Sequence, residues 1–189
     1  MRTKQHMELA LRRVLTGEGL ARPDFAVVIP VIWTQNGPEL LIEVRAAGIS
    51  QEGDPCFPGG RIEPGETPAQ AAARELEEEL GMRIEPEQLL GQLPTVQTYL
   101  GGRTDVFVGS LPGDARDQLR INRAEVAQLL QVPVSFFLER PTNSCYGVQG
   151  HTVWGMTAGA IRHLCAAWRQ AERETESPES AFSNGNRHT

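Results

Sequence analysis

The chain has 189 residues, 40% of them hydrophobic, and a formal net charge of −6. That length suits one domain with its own core, and the acidic balance argues against nonspecific nucleic-acid binding, which needs a basic face. The three cysteines follow no CxxC pattern, which argues against a disulfide framework or a zinc site. Because no apolar stretch is long enough to cross a membrane and charges interrupt the N-terminal apolar run, we expect a soluble cytoplasmic protein.

The first half of the chain contains signals for two helices and two strands. Apolar residues recur at helical spacing near the N-terminus, and two apolar runs joined by the turn QNGP are typical of buried strands. A segment rich in Gly and Pro then predicts a loop ahead of the second helix. The predicted helix, two strands, loop and second helix cover, in this order, 5–17, 24–33, 39–45, 46–66 and 67–80.

The second half continues with short strands and a terminal helix. We expect two strands, a short helix or bend, a strand passing into a turn, a short strand and a long helix, at 89–100, 103–111, 124–130, 131–138, 151–154 and 156–174. From Glu172 the chain is polar and aperiodic, which predicts a disordered tail. The interpretation is one α/β sandwich domain over 1–171 and a tail over 172–189.

The helix predicted over 67–80 has signals at both ends. Thr67 is a favourable N-cap, Pro68 suits the first helical position, and Gln70 completes a capping box. Gly81 is placed to end the helix as its C′ residue. Both boundaries of this helix are therefore predicted from local sequence.

The same helix separates apolar residues from glutamates. At about 100° per residue, one face carries four apolar residues: Ala69, Ala73, Leu76 and Leu80. Glu75, Glu78 and Glu79 follow the spacing i, i+3 and i+4, so we expect their carboxylates to converge beside this stripe. Glu77 is expected to point away from both groups.

Spacing alone leaves two explanations of the glutamates open. Arg74 can reach Glu78 at i+4, which would make a solvated, salt-bridged helix face. Two features favour a metal site: the acids adjoin the apolar stripe, and the FPGG and EPGE segments bring flexible backbone to the helix N-terminus. Clustered carboxylates suit Mg²⁺ or Mn²⁺, which bridge to substrate phosphates and lower the pKa of a bound water. The resulting hypothesis is metal-dependent hydrolysis of a diphosphate.

Nine residues around this helix stand at the spacing of one enzyme family's motif: Gly60, Glu66, Arg74, Glu75, Leu76, Glu78, Glu79, Gly81 and Met82. The pattern resembles the Nudix box. The resemblance, which extends over residues 25–170, implies an α+β fold of the Nudix α/β/α sandwich type, with a mixed sheet and a loop-helix-loop catalytic motif. It also implies Mg²⁺- or Mn²⁺-dependent hydrolysis of a nucleoside diphosphate derivative.

The resemblance assigns expected roles to the residues of the box. The carboxylates of Glu75, Glu78 and Glu79 would be metal ligands, one of them also the catalytic base, and the Gly60 carbonyl would add a ligand. Glu66 and Arg74 would orient the loop and the helix. A non-catalytic nucleotide-binding module should have lost box carboxylates, and none is missing here.

Three further segments resemble the coenzyme A diphosphatase branch of that family: LLIEVRA running to FPGG, QVPVSFFLERP and HTVWGMTAGAIRHL. Such enzymes yield 3′,5′-ADP and 4′-phosphopantetheine. The branch signature places arginines ahead of FPGG, whereas here Arg45 fits only with a shift of one residue and Ile49 or Ser50 stands where the second is expected. Either Arg61, Arg103 or another basic residue replaces it, or the substrate is another diphosphate such as NADH or ADP-ribose.

A few residues outside the motif have two interpretations each. Glu125 could supply a further carboxylate or be a solvated glutamate at a helix start. Trp154 and Met156 are expected in the core, with a place beside the pocket as the alternative. Cys56 stands beside FPGG, but no paired base makes it a nucleophile. Many relatives form homodimers, so a homodimer is possible, although no exposed apolar stripe argues for one.

Overall fold

The computed structural model describes residues 3–17, 23–97 and 102–176, in which nine strands and five α-helices are found. The strands are β1 (Phe25–Thr34), β2 (Gly37–Arg45), β3 (Pro55–Cys56), β4 (Gly59–Arg61), β5 (Leu89–Gln97), β6 (Arg103–Leu111), β7 (Val126–Pro133), β8 (Tyr146–Val148) and β9 (His151–Val153). The helices are α1 (Lys4–Val14), α2 (Pro68–Leu80), α3 (Ala115–Gln118), α4 (Val134–Glu139) and α5 (Gly155–Glu176), and a 3₁₀ turn covers Pro86–Gln88.

Seven of these strands form one mixed sheet. Its order is β3-β2-β1-β6-β5, with β7 also paired to β2 and β4 also paired to β1. The β1–β6 pair is parallel, and the other pairs are antiparallel. β8 and β9 pair only with each other, as a two-stranded antiparallel ribbon.

Helices cover both faces of the sheet. On β1, Val27 and Ile29 belong to a core cluster that includes residues of α1 and α5, whereas Val28 and Ile32 belong to a second cluster that includes residues of α2. Because successive side chains of a strand point to opposite faces, this central strand is buried on both sides. The observed architecture is an α/β/α sandwich and confirms the predicted fold class.

The ends of α2 match the local prediction. The Gln70 amide donates to Thr67 Oγ1 at 3.3 Å, and the Thr67 amide donates to Gln70 Oε1 at 2.8 Å, which completes the capping box. Gly81 ends the helix in the left-handed region at φ 69°, where a glycine is favourable. The buried face is rotated from the predicted one, because Ala71 and Ala72 are fully buried and Ala69 is only half-buried.

Two element predictions in the second half are wrong. Residues 124–130, expected as a short helix or bend, lie mostly in β7, which pairs along β2 from Glu39↔Pro133 to Arg45↔Val126. Residues 134–138, expected as the end of a strand passing into a turn, lie in α4. Short apolar runs fit a helix or a strand equally well in sequence, and here the available sheet edge decides.

The predicted tail boundary is also wrong. α5 continues through Glu176, so residues 172–176 are helical, and the remaining residues predicted as tail, 177–189, lie outside the described part of the chain. At the N-terminus, α1 ends at Val14 rather than at Gly17. No helix in the described ranges is long and apolar enough to span a membrane.

Candidate active site

Two consecutive glycines of β4 lie against the glutamates of α2. The Gly59 amide donates a hydrogen bond to Glu79 Oε2 at 3.0 Å. A Cβ placed on Gly60 would come within 2.2 Å of Glu75 Oε1. A larger residue at position 60 would therefore displace the Glu75 carboxylate, so this glycine lets the carboxylate lie directly against the loop backbone. The FPGG segment thus contacts the glutamates of α2 through this close approach and through the Gly59 hydrogen bond.

Arg74 is the centre of an ion-pair network beside this loop. Its Nε and Nη2 donate to the two carboxylate oxygens of Glu66 at 2.8 and 3.2 Å. Its Nη1 donates to Glu75 Oε1 at 2.9 Å and to Glu78 Oε2 at 3.0 Å, and its Nη2 also donates to the Arg61 carbonyl at 3.1 Å. The hydrogen bond from Arg74 holds the pKa of Glu66 below its ordinary value. These contacts connect the loop to the helix. Such a connection is what the expected orienting role of Glu66 and Arg74 requires.

The three box glutamates do not converge as expected. The side chain of Glu78 is 53% exposed, whereas Glu79 is only 3% exposed and turns inward to Gly59. Within the described ranges, no group of three or more carboxylate, imidazole or thiol side chains forms a ready-made cation site. Arg74 draws Glu75 and Glu78 to itself, which is why helical spacing alone did not predict their directions.

A fourth glutamate, which the sequence analysis missed, lies beside Glu79. Glu43 of β2 is 2% exposed and faces the same side of the sheet as Leu41, which packs with α2. Burial raises the pKa of Glu43, and the charge of Glu79 raises it further. Burial likewise raises the pKa of Glu79, against the hydrogen bond from Gly59. The sequence did contain a signal for Glu43, because a charged residue inside ELLIEVR, a run predicted to be a buried strand, needs a partner or a function.

Of the three arginines considered for substrate binding, Arg45 lies near the carboxylates. Its charge opposes the upward pKa shifts of Glu43 and Glu79, and its Nε donates to the Ser50 carbonyl at 2.6 Å. The Arg61 guanidinium lies over the ring of Phe25, 5.0 Å from its centroid. Of these two arginines, Arg45 is therefore the one whose charge acts on the buried glutamates.

Arg103 and Glu125 have different surroundings. Arg103 pairs with Asp24, with 3.9 Å between Nε and Oδ2. Glu125 precedes β7 and is exposed, and Asn122 Nδ2 donates to its Oε1 at 2.9 Å. Its charge nevertheless contributes to the raised pKa of Glu79, which is raised mainly by burial. Glu125 is thus solvated and within electrostatic range of the buried acids.

Two further residues, Cys56 and Trp154, lie near the site. Cys56 lies opposite Glu43 in the β2–β3 pair, and burial followed by the charge of Glu43 raises the pKa of its thiol to about 12, so it is no thiolate nucleophile. Trp154, expected in the core, is 43% exposed, and its Nε1 donates to Asp54 Oδ1 at 3.3 Å. Asp54 is two residues before Cys56, so Trp154 lies near the same end of β3.

The donor set at this place fits a divalent cation. Glu43 and Glu79 are buried side by side, one carboxylate oxygen of Glu43 has no hydrogen-bond partner among the described residues, and Glu75 and Glu125 add negative charge. Hard oxygen atoms of this kind suit Mg²⁺ or Mn²⁺. Burial and then the charges of neighbouring acids raise both pKa values, and a bound cation would offset these effects by stabilising the ionised carboxylates.

The sandwich and the glycine-anchored glutamate helix together define the class of protein. The NUDIX domain family model matches residues 22–144. The chain is 32% identical over 170 residues to the Uncharacterized Nudix hydrolase NudL of Citrobacter koseri, covering 82% of this chain and 87% of that protein. It is also 32% identical over 174 residues to the human Mitochondrial coenzyme A diphosphatase NUDT8, covering 80% of this chain and 73% of that protein.

A solved structure agrees with the fold. The NUDIX domain of Shewanella oneidensis NrtR, complexed with ADP ribose, superimposes with a TM-score of 0.51 at 19% identity, covering 83% of this chain and 90% of that chain. At this identity the likeness concerns the fold alone. The chain belongs to the Nudix hydrolase family, and the predicted resemblance is confirmed.

Proposed function

We propose that the protein is a divalent-metal-dependent diphosphatase that cleaves coenzyme A or its thioesters into 3′,5′-ADP and 4′-phosphopantetheine or its acyl derivative. The observation that carries the substrate proposal is the 32% identity to a human coenzyme A diphosphatase over 80% of this chain. The glutamate helix held against Gly59 and Gly60 supports the reaction class.

Glu75, Glu78, Glu79 and the Gly60 carbonyl would hold the Mg²⁺ or Mn²⁺. When bound, the metal neutralises diphosphate charge and makes water a better nucleophile. The chain's own contribution is positioning: the Gly59 amide fixes one oxygen of Glu79 and leaves the other available, while Arg74 holds Glu75 and Glu78. Water attack at phosphorus breaks the P–O–P bridge, and one glutamate of the set accepts the proton from the water.

On the substrate side, Arg45 is the cation best placed to bind a phosphate next to the glutamates. Its Nε contact to Ser50 uses one of its five donor hydrogens, and the remainder can serve a phosphate. Trp154 is exposed near the same end of β3 and offers an aromatic surface for a base or a pantetheine arm. Arg61 and Arg103 are secondary candidates, because an aromatic ring and a carboxylate engage them.

One observation favours a second candidate function. Ile49 or Ser50 stands where the coenzyme A branch has a second arginine. If that arginine is needed for the coenzyme's phosphates, NADH or ADP-ribose is the better substrate, by the same chemistry at phosphorus. A cytoplasmic location, a single domain and a possible homodimer stay predictions from the sequence.

A substrate panel tests both candidates. The purified protein is incubated with Mg²⁺ and with coenzyme A, acetyl-coenzyme A, NADH or ADP-ribose, and products are resolved by chromatography. We expect 3′,5′-ADP from coenzyme A, lost in Glu79→Gln and retained in Glu77→Gln, because Glu77 is exposed on the same helix. Cleavage of NADH or ADP-ribose alone would refute the coenzyme A assignment. If no substrate is cleaved with Mg²⁺ or with Mn²⁺, the proposed enzymatic activity is refuted and a nucleotide-binding module is favoured.

A further inference from the structure

We propose that Glu43, from β2 and outside the loop-helix motif, is an additional ligand of the divalent cation. This inference rests on the proposed metal-dependent function and assigns a role to a residue that the motif does not contain.

Glu43 is a buried polar group without adequate partners. Its side chain is 2% exposed, and no group in the described ranges donates a hydrogen bond to its Oε1. Buried carboxylates are normally paired or coordinate a metal, because an unpaired charge is poorly stabilised away from water. Arg45, the nearby cation, directs its Nε to the Ser50 carbonyl.

The position of Glu43 adds a second element to the cation site. Glu43 is close enough to Glu79 for the two carboxyl groups to interact, and Glu79 is fixed through Oε2 by the Gly59 amide. β2 is paired with β7 on one side and with β1 and β3 on the other, so the backbone of Glu43 is held on both sides. Two carboxyl groups on rigid neighbouring elements form a preorganised pair of hard oxygen ligands.

Two carboxyl groups in contact need either a shared proton or a cation between them. A shared proton would make Glu43 a structural partner of Glu79 and nothing more. A cation uses the unpartnered oxygen, and the additional negative charge of Glu75 and Glu125 favours it. These alternatives differ in one measurable property, the affinity of the protein for metal without substrate.

Mn²⁺ binding to the full chain, followed by the electron paramagnetic resonance signal of free Mn²⁺, distinguishes the alternatives. Glu43→Gln keeps the volume and can still hydrogen-bond to Glu79, so a structural partner would be replaced without loss of affinity. We expect Glu43→Gln to weaken Mn²⁺ binding at least about tenfold, as Glu79→Gln should, whereas the control Glu77→Gln should match the wild type.

The outcomes separate this inference from the proposed function. Mn²⁺ affinity of Glu43→Gln within about twofold of wild type, together with loss in Glu79→Gln, would overturn the role of Glu43 and leave the proposed function standing. No Mn²⁺ binding by the wild type would overturn both. Circular dichroism in EDTA checks that each variant is folded. If Glu43→Gln does not fold, Glu43→Asp is used instead and should fold and bind Mn²⁺ more weakly than the wild type. An unchanged Mn²⁺ affinity of Glu43→Asp would refute the inference.

Discussion

Replacing Glu43 by Gln should change how the stability of the metal-free protein depends on pH. Burial and the neighbouring charge of Glu79 raise the pKa of Glu43 above the value that it has in the unfolded chain. Above pH 5 the unfolded state has therefore released a proton that the folded state still holds. Since the unfolded state binds fewer protons, the free energy of unfolding falls as pH rises, until the pH passes the folded pKa.

The size of the effect follows from linkage. One retained proton changes the free energy of unfolding by at most about 1.4 kcal/mol per pH unit. Between pH 5.5 and 7.5 the proton retained by Glu43 should therefore cost the metal-free protein up to ~2.7 kcal/mol. In Glu43→Gln the repulsion between the two acids is absent and the amide can donate to Glu79, so most of this loss should disappear.

Chemical denaturation in EDTA at the two pH values, for wild type and Glu43→Gln, measures the difference. Only the difference between the pH dependences of the two proteins is interpreted, because they differ at a single residue. Adding Mg²⁺ to the wild type should also reduce its loss of stability at pH 7.5, because bound metal replaces the proton. Parallel pH dependences for the two proteins would refute the assignment of a raised pKa to this buried acid.

Three further substitutions probe the network around the glutamates. Arg74→Ala removes the ion pairs that Arg74 makes with Glu66 and Glu75, so it should lower the free energy of unfolding by about 1–2 kcal/mol and reduce the activity strongly. The control Arg83→Ala removes an exposed ion pair and should change neither the stability nor the activity. Gly60→Ala places a Cβ 2.2 Å from the Glu75 carboxylate and should lower kcat about a hundredfold, because the carboxylate must move. The control Gly147→Ala adds a Cβ that has no atom within 4 Å, so it should leave kcat unchanged. Arg45→Gln should raise KM for coenzyme A about tenfold with little change in kcat, since it removes the proposed phosphate contact and keeps a donor for the loop.

Each of these expectations has a clear contrary result in steady-state kinetics and thermal unfolding. Equal stability losses for the two arginine-to-alanine variants would show that the network on α2 adds nothing beyond a surface pair. Full activity of the Gly60 variant would show that the glutamates do not need the close glycine contact. A lowered kcat at unchanged KM in the Arg45 variant would remove it from substrate binding.

Local sequence determined the catalytic helix and the central strands. The helix from Pro68 to Leu80 was predictable because its capping box, its first proline and its terminal glycine act within a few residues of each other. β1 was predictable because a long apolar run bounded by turn residues has few alternatives to a buried strand. The motif spacing likewise indicates the Nudix family from the sequence alone.

The tertiary structure decided what depends on neighbours distant in sequence. Residues 124–130 became a strand because β2 offers an unpaired edge, which no local pattern encodes. The glutamates of α2 point in different directions because Arg74 attracts Glu75 and Glu78 while Gly59 holds Glu79. Glu43 meets Glu79 only when β2 and α2 pack together. The sequence by itself thus determined the helix and the chemistry of its side chains, whereas packing decided which carboxylates meet, because hydrogen bonds and burial between separate elements exist only in the folded chain.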